Sequence, residues 1–288
     1  MYLKNRFDVG KFIVIAEMQP PKGVDVSEMV NSAVRVKKSV DAFLVPEMGN
    51  AIMRMSALGG AMVLQHQGLQ TIMQINCRDR NRIALQADLL AAYGAGILNV
   101  MGVSGEDPST GDHHKAKAVH DIDLMTLFKA ISALQTGRDL AGNELSGAPT
   151  FFLGADVNAR ATGDELKKEL DGMEEKIEAG VEFFIAPPVF DFNVIAPFME
   201  AVDLKKTKVL PTVMMLKSVG MARYLARHMN MSISQDLIKR IMHAPDKPLE
   251  SLTIATEIVA EAKGAGFAGV KISPMGWESK LQKLMDMM

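Results

Sequence analysis

Residues 70–104, QTIMQINCRDRNRIALQADLLAAYGAGILNVMGVS, carry the pattern that decides the fold. The run 70–76 is short and apolar, 80–94 places apolar side chains at helical spacing, and 97–104 returns to a short apolar run. This is one strand–helix–strand unit. Near-continuous apolar strands imply burial on both faces, as a parallel sheet requires.

The same alternation extends in both directions. Strands are expected at 11–17 (KFIVIAE), 42–47 (AFLVPE), 151–157 (FFLGADV), 183–188 (FFIAPP), 208–214 (KVLPTVM) and 269–274 (GVKISP). Helical patterns lie near 26–38, 56–66, 121–135, 164–179, 191–202, 218–229 and 249–264, with a last helix from about 277. Eight βα units without a break in composition predict one α/β domain over 1–288, a (β/α)8 TIM barrel. A doubly wound sheet would need no eighth unit. The connections at 105–120 and around 136–149 are unusually long, and an extra short helix at 234–242 is expected before the last strand.

Bulk properties exclude several functions. The chain has 288 residues, 48% hydrophobic and 23% charged, with a formal net charge of -2. That is ordinary globular composition with nothing to attract a polyanion, and the densest basic run, Arg78–Arg82, is interrupted by Asp79, so no nucleic-acid partner is expected. The single cysteine, Cys77, excludes an intrachain disulfide and an iron–sulfur cluster held by this chain alone. No apolar run reaches the ~18 residues of a membrane span, so a cytoplasmic protein without membrane insertion is expected. Most of the 22 methionines are expected to fill the core.

In such barrels the chemistry sits at the C-terminal ends of the strands. Glu17 follows a largely apolar strand; desolvation there would raise its pKa and suit a general acid, although a salt bridge to Lys22 is the competing reading. Asp79 reads as the cap of the next helix, and Cys77 as a packing residue rather than a nucleophile. After strand four, Gly102–Val103–Ser104–Gly105–Glu106–Asp107 combines small residues that admit a planar ligand with carboxylates that can stabilise a cation. His113 and His114 beside Asp112 lack the distributed spacing of a metal site, so a solvated loop and no metal are expected. Lys176 reads either as a surface lysine or as a phosphate contact.

Together these segments resemble the methylenetetrahydrofolate reductase family from about Phe12 to Trp277. The strongest stretch is CRDRNRIALQADLLAAYGAGILNVMGVSGEDPSTGDH, supported by EMQPPKG, KIEAGVEFFIAPPVFD and GVKISPMGWE. The resemblance implies flavin-dependent reduction of 5,10-methylenetetrahydrofolate to 5-methyltetrahydrofolate. Glu17 matches the acid of the family's E-x-x-P-P motif and would protonate N10 of the folate. Glu106 falls where the family carries an aspartate that stabilises the resulting cation, with Asp107 beside it as a second carboxylate. Flavin contacts implied by position are Gln74, Asn76, Ser104, Gly105, Glu106, His120, Ala155, Val157 and Lys176. The flavin is expected to be FAD, with FMN open.

Three departures concern the substrate. Pro187 replaces a glutamine that holds the pterin, Pro46–Glu47 replaces a threonine-containing segment, and Leu216 lies near the position of a substrate-stacking phenylalanine. Electrons are expected from NAD(P)H or from a separate iron–sulfur partner subunit, and the chain is expected to oligomerise. The competing readings are a pterin-dependent methyltransferase barrel and a non-catalytic, flavin-carrying subunit of a redox complex.

Overall fold

The computed structural model describes residues 2–229 and 231–288. Eight parallel strands close in sequence order: β1 (Ile13–Glu17), β2 (Ala42–Val45), β3 (Thr71–Asn76), β4 (Asn99–Val103), β5 (Phe152–Asp156), β6 (Phe183–Pro188), β7 (Lys208–Met214) and β8 (Gly269–Ser273). The seam pairs Ile13 with Gly269 and Ile15 with Lys271. A Cβ at Gly269 would lie 2.2 Å from the Ile13 carbonyl oxygen, so closure there needs a residue without one.

The helices are α1 (Tyr2–Asp8), α2 (Ser27–Val36), α3 (Ala57–His66), α4 (Arg82–Gly94), α5 (Leu124–Gln135), α6 (Gly163–Glu178), α7 (Ala196–Ala201), α8 (Val219–His228), α9 (Gln235–His243), α10 (Lys247–Gly264) and α11 (Leu281–Met287). The expected extra helix is therefore α9. Its Arg240 pairs with Glu250 and Glu257 of α10, each at 2.8 Å. The pattern at 191–202 resolves into a 3-10 turn, Phe192–Ile195, followed by α7 with Pro197 in its first turn. The cap of α4 is Asn81, whose side-chain oxygen accepts the Ile83 and Ala84 N–H groups at 3.2 and 3.1 Å. Asp79, the expected cap, instead pairs with Arg78 at 2.7 Å.

Side chains alternate across the strands, giving two apolar layers. Val14, Ala16, Phe43, Val45, Leu153 and Ala155 face the helices, whereas Ile13, Ile15, Leu44, Ile72, Phe152 and Phe183 fill the barrel. The N-terminal helix α1, absent from the expected elements, closes the bottom of this inner layer. Its Leu3 and Phe7 join the inner cluster, and Phe7 stacks within 5.6 Å of Phe152 and 6.2 Å of Phe183, measured between ring centres. Ion pairs fix its edges: Lys4 with Glu182, and Arg6 with Asp41 at 2.5 Å. With the N-terminal end plugged, the open end of the barrel is the C-terminal one.

Candidate active site

Glu17 is the last residue of β1 and continues the inward series Ile13, Ile15. On β8, Lys271 is level with Ile15 and so shares its face, one pleat below Glu17. The lysine is long enough to climb that step: its Nζ lies 2.8 Å from Glu17 Oε2, while the Ser273 hydroxyl is 3.3 Å from Oε1. Both charged side chains are mostly sheltered, 18% and 15% exposed. The partner considered in the sequence, Lys22, instead joins Asp112. Lys271 and Ser273 escaped the reading of GVKISP, yet the period-2 series Gly269, Lys271, Ser273 carried the signal: a cation on the inner face of an apolar strand.

The mouth beside β2, β3 and β4 is a polar lattice. Glu47 is buried; its carboxylate accepts the Ala57 N–H at 2.7 Å and an Arg80 N–H at 3.1 Å, and Arg80 also reaches Asp88 at 2.9 Å. Burial pushes the Glu47 carboxyl above its usual range, with Arg80 pulling it down. The Asn76 carboxamide accepts the Arg78 and Asp79 N–H groups, each at 3.1 Å, and donates to Asp79 at 3.0 Å and to the Glu47 carbonyl at 3.3 Å. Arg78 donates twice to Asp79, each at 2.7 Å, and once to the Glu106 carbonyl at 3.1 Å. Burial pushes the Asp79 carboxyl up, but its bonds from Arg78 and Asn76 outweigh this and hold it below the usual range. Cys77 lies in the outer core, where burial raises its thiol to about 11; a thiol so rarely ionised is a packing residue.

Backbone strain gathers at the same end. Non-glycine residues with positive φ are Met48, Asn50 and Ala51 after β2, His120 after β4 and Met275 after β8. Left-handed conformations at such residues are costly and cluster at functional sites. The 105–120 connection folds over the β2 turn, where Gly111 meets Ala51, and Asp112 accepts the Met53 N–H at 3.0 Å besides pairing with Lys22. Hydrogen bonding from Lys22 holds the Asp112 carboxyl well below the usual range. His113 and His114 lie exposed on this loop, bonded to Asp112 at 3.0 Å and to the Ser109 carbonyl at 2.9 Å. No group of three or more potential metal ligands occurs among the described residues, and no helix there is long and apolar enough to cross a membrane.

The family model for methylenetetrahydrofolate reductase matches residues 2–268. The chain belongs to the methylenetetrahydrofolate reductase family. A curated relative, methylenetetrahydrofolate reductase 2 of Schizosaccharomyces pombe, is 22% identical over 197 residues. That alignment takes in 64% of this chain but only 29% of the relative's length. Among solved structures, an uncharacterized Clostridium thermocellum protein that binds two copies of 5-methyl-5,6,7,8-tetrahydrofolic acid superposes with a TM-score of 0.62 at 12% identity, covering 99% of this chain and 100% of that one. EDTA monooxygenase from Chelativorans sp. BNC1 gives 0.58 at 10% identity, covering 96% and 93%. At these identities the structural likeness speaks for the barrel alone.

The residues that reductase-family resemblance singles out divide into two groups. Glu17 and Gln74 lie on the inner face of the wall near its open end, with Ser104 and Gly105 on the rim after β4, and Pro187 sits at the bulge of β6. Gly105 has φ +87°, and a Cβ there would lie 2.9 Å from the Arg78 side chain. The others are placed or engaged differently. Asn76 spends its carboxamide on the lattice described above. Ala155 and Val157 point into the helix layer, so only their backbone can meet a ligand in the mouth. Leu216 is a correction: it is 1% exposed within the outer core and offers no surface for stacking. Asp107 is spent as a cap, accepting the Ser109 N–H at 2.8 Å, and Glu106 stands exposed, 3.8 Å from Arg78. Lys176 donates to the Asp156 carbonyl at 2.9 Å, and His120 is exposed on the rim loop.

A flavin ring presents carbonyl and ring-nitrogen acceptors, and therefore needs donors. Gln74 meets that need: its oxygen accepts the Glu47 N–H at 3.0 Å, which fixes the carboxamide and leaves its amino group without a partner among the described residues. The Ser104 hydroxyl supplies a second donor on the adjacent rim. The donor set fits the ring.

Proposed function

We propose that this chain reduces 5,10-methylenetetrahydrofolate to 5-methyltetrahydrofolate. The reading is carried by Glu17: an inward carboxyl, held by Lys271 and Ser273 at the open end of a barrel in the methylenetetrahydrofolate reductase family. Gln74, Ser104 and Gly105 would hold a flavin, FAD by expectation, which when bound supplies the hydride. The solved barrel of this fold that binds 5-methyltetrahydrofolic acid supports a folate as the second occupant.

Glu17 delivers a proton to N10 of the folate. The bond between N10 and the bridging carbon then breaks with its electron pair staying on N10, and the carbon becomes the terminus of an N5 iminium ready to accept hydride. Lys271 and Ser273 each hold one oxygen of the carboxyl and so fix its orientation at the mouth, and the sheltered wall limits competing water. The electron source is NAD(P)H or an iron–sulfur partner.

The test is the visible spectrum of the purified protein, followed by anaerobic reduction and titration with 5,10-methylenetetrahydrofolate. The reading expects flavin absorbance that bleaches on reduction and returns as the folate is consumed. Glu17→Gln should keep the flavin and lose that return. A colourless protein that cannot be loaded with flavin overturns the proposal and favours a pterin-dependent methyltransferase.

A further inference from the structure

The acids that the sequence offers to the pterin are committed elsewhere, Asp107 to a cap and Glu106 to the neighbourhood of Arg78. Pro187 stands at the register shift between Ala186 and Pro188, where β6 bulges against β7, and its side chain can neither donate nor accept a hydrogen bond. Yet the wall next to it does present a carboxyl. Asp156 ends β5, and alternation turns it inward. Phe152 belongs to the inner cluster, a Cβ at Gly154 would strike the Phe183 ring at 2.2 Å, and Leu153, Ala155 and Val157 pack outward.

The Asp156 side chain is open to water at the top of the mouth while the barrel wall encloses its sides. That burial pushes its carboxyl above the usual aspartate range, with Lys176 pulling the other way. The Lys176 ammonium donates to the Asp156 backbone carbonyl, 2.9 Å away, and no side chain among the described residues hydrogen-bonds to the carboxylate. A carboxylate on the inner face of the wall that is open to water and bonded by no side chain among the described residues is free to take its donors from a ligand in the mouth.

We infer that the Asp156 carboxylate holds the pterin ring of the folate by its 2-aminopyrimidinone edge. This rests on the function proposed above and adds a residue to it. That edge carries two N–H donors side by side, N3–H and one hydrogen of the 2-amino group, and a carboxylate is their two-oxygen complement. β5 stands four strands from β1 in the closed order, so Asp156 and Glu17 face each other across the mouth. The folate then lies between them, its pyrimidinone edge at Asp156 and its N10 at Glu17. From the neighbouring strand, Asp156 takes over the pterin-holding role of the glutamine that Pro187 replaces.

The experiment is calorimetric titration of the flavin-loaded protein with 5-methyltetrahydrofolate and with the analogue lacking the 2-amino group. Asp156→Ala and the near-isosteric Asp156→Asn should keep their flavin and bind 5-methyltetrahydrofolate on the order of 10- to 100-fold more weakly. The wild-type protein should prefer the natural folate to the 2-deamino analogue, and Asp156→Ala should lose that preference. Variants that bind like wild type, or that keep the preference, overturn this inference and leave the reductase reading standing. Should Asp156→Ala fail to fold, the affinity of Asp156→Asn decides. A flavin-loaded wild-type protein that binds neither folate overturns both.

Discussion

The Lys271 ammonium lies 2.8 Å from Glu17 Oε2 across the seam where β8 closes on β1. The two residues are 254 positions apart in the chain, so the acid is positioned only once the barrel has closed. A carboxyl that swings freely spends less time where its proton is needed. Lys271→Met keeps the length of the side chain and removes the charge. It should lower turnover by roughly 10- to 100-fold with a smaller change in KM and an unchanged flavin content, and Lys271→Arg should recover part of the loss. Steady-state kinetics on the three proteins checks this. Full turnover in Lys271→Met would show that Ser273 positions Glu17 unaided.

Glu47 sets a pH dependence. Burial raises its folded-state pKa above the ordinary 4.5, so between those two values the folded protein binds a proton that the unfolded chain does not. Its contribution to stability is therefore fullest below 4.5 and declines as pH rises through the folded value. Glu47→Gln removes that decline but weakens the bond to Arg80, a loss of about 1–3 kcal/mol. The deficit of the variant against wild type should shrink as pH is raised from 4.5 to neutrality, measured by denaturant unfolding at successive pH values. A deficit that grows over that range would place the buried proton elsewhere.

The floor of the barrel depends on α1. Phe7 is buried against both Phe152 and Phe183, so Phe7→Ala opens a cavity in the inner layer and should cost about 3–5 kcal/mol. Val9, just past the end of the helix, is 80% exposed, and Val9→Ala should cost less than ~0.5 kcal/mol. Thermal unfolding of the pair separates a structural plug from a merely attached helix, for which both substitutions would be near neutral.

The eight strands were legible because each is a short apolar run that a helix-period segment follows; only some of their edges moved, by two residues at most. The stretch holding α1 was not legible, since seven residues with just Leu3 and Phe7 turned inward give too little periodicity, and their burial depends on a floor assembled from strands spread along the whole chain. At the site, Glu17 could be found because it ends an apolar strand. That Lys271 faces inward could be read from alternation along β8, but that it meets Glu17 could not, because register across the β1–β8 seam is a property of closure. Asp79 was misread for a local reason: both it and Asn81 suit a cap, and the neighbouring Arg78 claims the carboxylate. Leu216 was misplaced because it lies just past the end of β7, where strand alternation no longer sets which side a residue faces, and the chain there turns it into the outer core.

The rim loop gives the last prediction. A Cβ on Gly111 would lie 1.8 Å from the Ala51 carbonyl oxygen and 2.4 Å from its carbonyl carbon. Both are backbone atoms, so no rotamer change relieves the clash, and Ala51 is itself held at φ 53°. Gly111→Ala must therefore lift the 105–112 segment off the β2 turn. That movement breaks the bond from Met53 N–H to Asp112 and the adjoining pair with Lys22. Overpacking of this kind typically costs about 1–3 kcal/mol, but here the strain can be released by local undocking, since the loop lies at the rim and outside both apolar layers. The expected result is a small fall in the melting temperature, with a large gain in the rate at which a protease cuts within 105–120. Asp112→Ala should give a milder form of the same change. Equal cleavage rates in wild type and Gly111→Ala would mean that the loop is not docked on the β2 turn in solution.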